Sequence, residues 1–156
     1  MLRLADPADI PLIQSILNAP ENWDKLEAYS EDTIYAAIAG AQSKVLIWDE
    51  NAERCGFCWL TQTAKGTKVE EFGVKIQGHG VGGRFFGPVL DAVTRDGLPL
   101  PIWLAVAADN SGAIRFYKRF GFVHSTLRKS VWHRRKGPIA DALIMVYAPD
   151  DTRVHD

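Results

Sequence analysis

The sequence is short of several things, and each shortage excludes something. No apolar run approaches the roughly 20 residues that cross a bilayer as a helix. The opening Met1-Leu2-Arg3-Leu4-Ala5-Asp6 lacks the apolar stretch of a secretory signal. A cytoplasmic location with no membrane partner is therefore expected. An excess of one charge is missing as well: 18 Lys and Arg face 19 Asp and Glu, a net charge of −1. The whole molecule has no pull toward a polyanion. Its cations are not interleaved with aromatics in a stacking pattern, so no nucleic-acid partner is expected. Four histidines show no metal-ligand spacing, and no metal is expected. Cysteine is limited to Cys55 and Cys58. Their C-x-x-C spacing fits a redox or zinc site in isolation. Here it falls in Cys55-Gly56-Phe57-Cys58-Trp59-Leu60, which reads as a strand, where residues three apart point to opposite faces. A structural role for both is the expectation. Repeats, low-complexity tracts and Pro/Ser-rich linkers are absent too.

What is present is a globular composition. With 47% hydrophobic and 24% charged residues, the chain has enough apolar material to avoid disorder. Its 156 residues suit one domain. That domain is placed at residues 1–148, followed by a short polar tail over 149–156. The two halves differ in charge. Residues 1–78 carry seven Lys and Arg against twelve Asp and Glu, whereas 79–156 carry eleven against seven. Chance on a solvated surface explains this; so does a basic half that holds an anionic ligand and an acidic half that receives a cation.

Periodicity orders the elements. Leu2 to Ala5 reads as a strand. Asp6-Pro7 opens a helix, with Asp6 as N-cap and Pro7 at its first position, and Ile10, Ile13 and Leu17 form its apolar stripe. A second helix spans Glu31 to Ala39 and closes at Gly40. Trp23 and Tyr29 fall in the irregular segment between them. Strands follow at 44–48 and 54–63 around a turn at Asp49-Glu50-Asn51, then at 67–74. A helix from Gly80 to Arg95 repeats Val81, Phe85, Val89 and Val93 every four residues. Pro88 inside it predicts a kink. A strand at 101–107, a helix at 110–120 and a strand pair at 122–132 and 141–148 complete the chain. A basic loop, His133 to Ile139, joins the last pair. The order is that of a mixed α/β sandwich around one sheet.

The glycine-rich segment Gln77-Gly78-His79-Gly80-Val81-Gly82-Gly83-Arg84 sits where a strand ends and a helix begins. Glycines let backbone N–H groups approach a ligand. The first N–H groups of a helix have no internal partner, and the helix dipole adds positive potential there. Such a junction suits a phosphate or pyrophosphate. Gly78-x-Gly80-x-x-Gly83 satisfies the dinucleotide-binding spacing. Its context is poor, because the next strand lacks the acidic residue that would bind ribose. Gln77-x-x-Gly80-x-Gly82 is the other spelling.

One helix later stands Asn110-Ser111-Gly112-Ala113-Ile114-Arg115-Phe116-Tyr117-Lys118-Arg119-Phe120-Gly121-Phe122. With Gln77-x-x-Gly80-x-Gly82, it resembles the paired signatures of the GNAT superfamily of N-acetyltransferases. The resemblance covers about residues 2–147. It implies the GNAT fold, a central mixed but mostly antiparallel sheet with helices on both faces. It implies acetyl-CoA as cofactor and direct attack on it by an amine. The acceptor is a small-molecule or protein amine, and a homodimer is left open. The closing hairpin is similar to that of the ribosomal-protein acetyltransferase branch.

Residue by residue, the resemblance assigns the pyrophosphate to the backbone of Gly78, His79, Gly80, Val81, Gly82 and Gly83, with Gln77 and Arg84 nearby. Val74 would direct a backbone N–H at the thioester carbonyl, although the family usually has two more residues between this strand and the motif. Asn110 would bind the cofactor arm, or cap its helix. Tyr117 would be the acid for the departing thiolate, though on pattern alone it is a core aromatic. The base is Glu70, Glu71 or a water; Glu70 is preferred to Glu71 because it shares parity with Phe72 and Val74. A second family position for a base holds Ala105 instead of Glu. That departure keeps a non-catalytic acyl-CoA sensor open beside the enzyme.

Overall fold

The computed structural model describes residues 1–150. The polar tail expected over 149–156 therefore falls mostly outside the described residues. The strands are β1 (Leu2–Leu4), β2 (Ser43–Glu50), β3 (Glu53–Thr63), β4 (Gly66–Val74), β5 (Ile102–Ala107), β6 (Phe122–Trp132) and β7 (Ala140–Tyr147). The helices are α1 (Ile10–Leu17), α2 (Glu31–Ala39), α3 (Val81–Arg95) and α4 (Ser111–Arg119). Among the described residues no helix is long and apolar enough to cross a membrane.

All seven strands form one sheet in the order β1-β2-β3-β4-β5-β7-β6. Every neighbouring pair is antiparallel except β4 and β5. A doubly wound parallel sheet, which a dinucleotide site of the Gly-x-Gly-x-x-Gly type requires, is thus not what this chain builds. Alternation along the strands divides the core in two. Val45, Ile47, Phe57 and Trp59 face α1 and α2, while Leu46, Cys58 and Leu60 face α3. Cys58 is accordingly buried in the α3-side core, and Cys55 is half-buried outside it.

Local chemistry explains most boundaries. Asp6 caps a 3-10 turn, Pro7–Asp9, by accepting from the Ala8 N–H, and Asp9 accepts from the Asp6 N–H in return. Asp9 is 0% exposed and also takes hydrogen bonds from Arg3 and Arg54. Ser30 caps α2 by accepting from the Thr33 N–H. The β2–β3 turn is tighter than expected. It lies at Asn51 and Ala52, both left-handed at φ 52° and 64°, and the strands extend to Glu50 and from Glu53. The helix predicted from Gly80 begins at Val81, with Gly80 as its cap, and runs on through Pro88.

Two irregularities in the sheet position the site. The first is where β4 meets β5. Their pairing covers Thr67 with Ile102 and Lys68 with Trp103, and no further. At this neck Gly66 approaches Pro101 so closely that a Cβ would lie 2.0 Å from the Pro101 carbonyl oxygen. Beyond it the strands part. The second is a bulge in β4. Trp59 opposes Glu71 while Leu60 opposes Val69, so Glu70 has no partner on β3.

Candidate active site

The parting of β4 and β5 opens a cleft of about 480 Å³. Val69 to Val74 form one wall and Leu104 to Val106 the other; the glycine loop and the start of α4 complete the lining. A sheet that splays here leaves the β4 edge from Val69 onward without a strand neighbour on that side. Unpaired backbone of this kind takes a ligand as it would take another strand. A larger hollow of about 880 Å³ lies near Arg3, Asp49 and Arg54. Its charges are engaged with one another through Asp9 and Asp49, so it offers less to a ligand.

The glycine loop sits at one end of the cleft. Gly78 and Gly80 are left-handed at φ 81° and 75°, conformations that L side chains adopt at a penalty. A Cβ at Gly78 or Gly83 would meet nothing within 4 Å, so the space above the loop is open. Gly82 is different: a Cβ there would touch Phe116 and Phe72 at ordinary contact distance. Val81 is buried and anchors α3, whereas His79 is exposed. Gln77 donates to the Asn22 side chain at 3.1 Å, tying the loop to the segment after α1. Asn22 is itself buried and donates to the Ile16 carbonyl. Arg84 does not line the cleft. Its guanidinium binds Glu50 at 2.7 and 2.9 Å and steadies the loop through the His79 carbonyl. Arg84 pulls the Glu50 carboxyl down to about 2.

On the α4 side stands Tyr117, half-buried among Phe86, Phe116 and Phe122. Its ring belongs to the core margin and its residue also lines the cleft. Burial pushes its phenol well above the usual range. Asn110 caps α4 by accepting from the Ala113 N–H, and it too lines the cleft.

On the β4 wall both Glu70 and Glu71 reach the cleft. The parity that linked Glu70 with Phe72 and Val74 fails, because the bulge inserts one residue into the alternation. Phe72 and Val74 pack on the α3-side core. Glu70 instead joins Lys68 in an ion pair at 3.2 Å, and Lys68 lies over the Trp103 ring. Glu71 is 9% exposed and turns toward the α1–α2 side, where the Tyr29 hydroxyl donates to its Oε1 at 3.1 Å. Burial pushes the Glu71 carboxyl up to about 8; the Tyr29 hydrogen bond opposes this, and Glu27 and Glu70 add to it.

The basic loop after β6 is not a free charged surface. Arg134 is 8% exposed and grips Asp109 with two hydrogen bonds at 3.0 and 2.8 Å. Arg135 donates to the Leu17 and Leu26 carbonyls and to Asn18. The loop is thereby tied to the end of α1 and the segment after it, and Lys25 and Trp132 beside it line the cleft. Sequence reasoning missed Asn22, Lys25 and Trp132, which carry no motif and enter the site through the fold alone.

Residues 10–122 match the model of the acetyltransferase (GNAT) family. A curated relative, a mycothiol acetyltransferase of Brachybacterium faecium, is 34% identical over 74 residues, 43% of this chain and 22% of the relative. The chain thus spans about a fifth of that relative's length. Among solved structures, the ribosomal-protein-S18-alanine N-acetyltransferase of Escherichia coli superposes with a TM-score of 0.77 at 20% identity, covering 97% of this chain and 96% of that one. The spermidine N-acetyltransferase of Vibrio cholerae, solved with CoA and spermine, gives 0.77 at 21%, covering 94% and 95%. A Salmonella typhimurium protein solved with its cofactor acetyl-CoA gives 0.75 at 20%, covering 97% and 94%.

Proposed function

Since the chain belongs to the GNAT acetyltransferase family, we propose that it moves an acetyl group from acetyl-CoA to a primary amine by direct attack in a ternary complex. The observation that carries this reading is the cleft between the parted strands, with a proton-accepting carboxyl on one wall and a phenol on the other.

The residues fit the cofactor. The open backbone at Gly78 to Gly83, at the N-terminus of α3, suits the pyrophosphate. The unpaired edge of β4 down to Val74 suits the amide-bearing arm. Acetyl-CoA supplies an acyl group activated as a thioester. On this reading a backbone N–H of the free β4 edge at Val74 would meet the thioester oxygen as charge develops on it during acyl transfer.

Glu71 is the general base. An alkylammonium near pKa 10 yields its proton poorly to an ordinary carboxylate. A carboxyl held near 8 is a better match, and matched pKa values speed proton transfer. Tyr117 faces the departing sulfur. Full proton transfer from a phenol raised above its usual value to a thiolate near 8.5 is uphill. Its hydroxyl acts mainly by donating a hydrogen bond as charge gathers on that sulfur. Neither cysteine is used: the Cys58 thiol is buried in the core and burial pushes it up, far from a reactive thiolate.

Incubation with acetyl-CoA and a panel of primary amines, including spermidine and an alanine-ended peptide, should release free thiol. Tight binding of acetyl-CoA with no thiol released by any amine would favour the sensor reading, for which Ala105 in place of a Glu is the supporting observation.

A further inference from the structure

Tyr29 lies in the irregular segment between α1 and α2, next to the cap residue Ser30. Its ring meets Trp59 at 4.8 Å between centroids, tilted by 54°. Trp59 is the residue of β3 directly opposite Glu71. The three side chains thus form one cluster on the α1–α2 face of the sheet, where the bulge at Glu70 has turned Glu71. Tyr29 does not reach the cleft, yet its hydroxyl donates to the carboxyl that does.

We propose that Tyr29 is a positioning residue for the acyl transfer: braced on Trp59, it holds the Glu71 carboxyl against the cleft wall and favours its ionised form. This rests on the reading of Glu71 as the base. Without the hydroxyl, the buried carboxyl keeps the repulsion and retains only the Glu27 backbone N–H as compensation. The groups facing it are Glu27 and Lys25 from the α1–α2 segment, Glu70 on its own strand and Tyr117 from α4. Two of these four are carboxylates that disfavour its charge. Tyr29 also keeps its own proton throughout the working range, because burial and the carboxylates of Glu71 and Glu27 push its phenol far up. It therefore remains a donor and does not compete with Tyr117 as an acid.

The first readout needs no acceptor. The Glu71 carboxyl is followed by 13C NMR in the full chain across pH, its signal assigned by its loss in Glu71→Gln. Tyr29→Phe keeps the ring on Trp59 and removes only the hydroxyl. It should move the Glu71 midpoint upward by about 0.5 unit or more, since a hydrogen bond to the charged form is lost. An unmoved or lowered midpoint overturns the proposal. Turnover separates the two readings. If Glu71→Gln keeps full thiol release with the wild-type pH profile, the base reading fails while the midpoint shift stands. If Glu71→Gln loses the acidic limb but Tyr29→Phe leaves the limb in place, positioning fails alone.

Discussion

At the scale of single residues, Glu71 carries two linked consequences. As a base it should act only when ionised, so kcat/KM should rise through about pH 8. Glu71→Gln should lower kcat by about 10²- to 10⁴-fold and abolish that limb, as read from initial rates. Stability moves the other way. The folded pKa of about 8 exceeds the unfolded value near 4.5, so the folded state binds more protons between them. The group's stabilising contribution is whole below about pH 4.5 and is lost as pH climbs through 8. Glu71→Gln should then be the more stable protein at pH 9, by about 2–4 kcal/mol, with the difference vanishing in melts at pH 4. Tyr117→Phe makes a separate test: turnover should fall by about 10-fold or more, while the Kd for acetyl-CoA stays within about twofold. A Kd that worsens as much as turnover would mean Tyr117 is a wall of the cleft and no more.

At the scale of elements, the glycine loop separates binding from folding. Gly83 is in α3 with open space around it. Gly83→Ala should therefore raise stability by about 0.5–1 kcal/mol in urea titration, because glycine is a poor helix residue. The same methyl intrudes where a pyrophosphate would lie and should weaken acetyl-CoA by about 10-fold in calorimetry. The start of the chain offers the opposite case. Asp9 is buried and shared by Arg3, Arg54 and the turn backbone. Asp9→Ala should cost about 2–4 kcal/mol in chemical denaturation, with acetyl-CoA binding little changed.

Elements were also where the sequence was most legible. Strands and helices have local signatures, such as the four-residue spacing from Val81 to Val93, so the structure moves most ends by a residue or two; the helix expected from Pro7 opens as a 3-10 turn and becomes α-helix only at Ile10. The β2–β3 turn sits at Asn51 and Ala52 rather than at 49–51, because no glycine marks it. Glu70 against Glu71 was not legible. Parity holds only in a regular strand, and the bulge is set by how Trp59 and Leu60 align with β4, a non-local matter. The basic loop was opaque for the same reason. Arg135 finds its partners 109 to 118 residues away, and nothing in its own neighbourhood marks it as a clamp.

At the scale of the whole molecule, that clamp joins the closing hairpin to the α1–α2 segment that holds Tyr29. Arg135→Ala should speed amide hydrogen exchange over residues 18–29 and leave α3 untouched, since its partners all lie at Leu17, Asn18 and Leu26. The neck between β4 and β5 has a broader consequence. Two paired positions join the two parts of the sheet, where an ordinary neighbour would contribute a full ladder. On the proposed reading, an acyl donor lying along β4 would pair where β5 does not, and so would be a piece of architecture as much as a reactant. Melting temperature should climb with the logarithm of acetyl-CoA concentration, with about 2.7 kcal/mol gained at a hundred times Kd. The protection from exchange that comes with it should fall on Val69 to Val74 and Leu104 to Val106, the margins the added member would fasten.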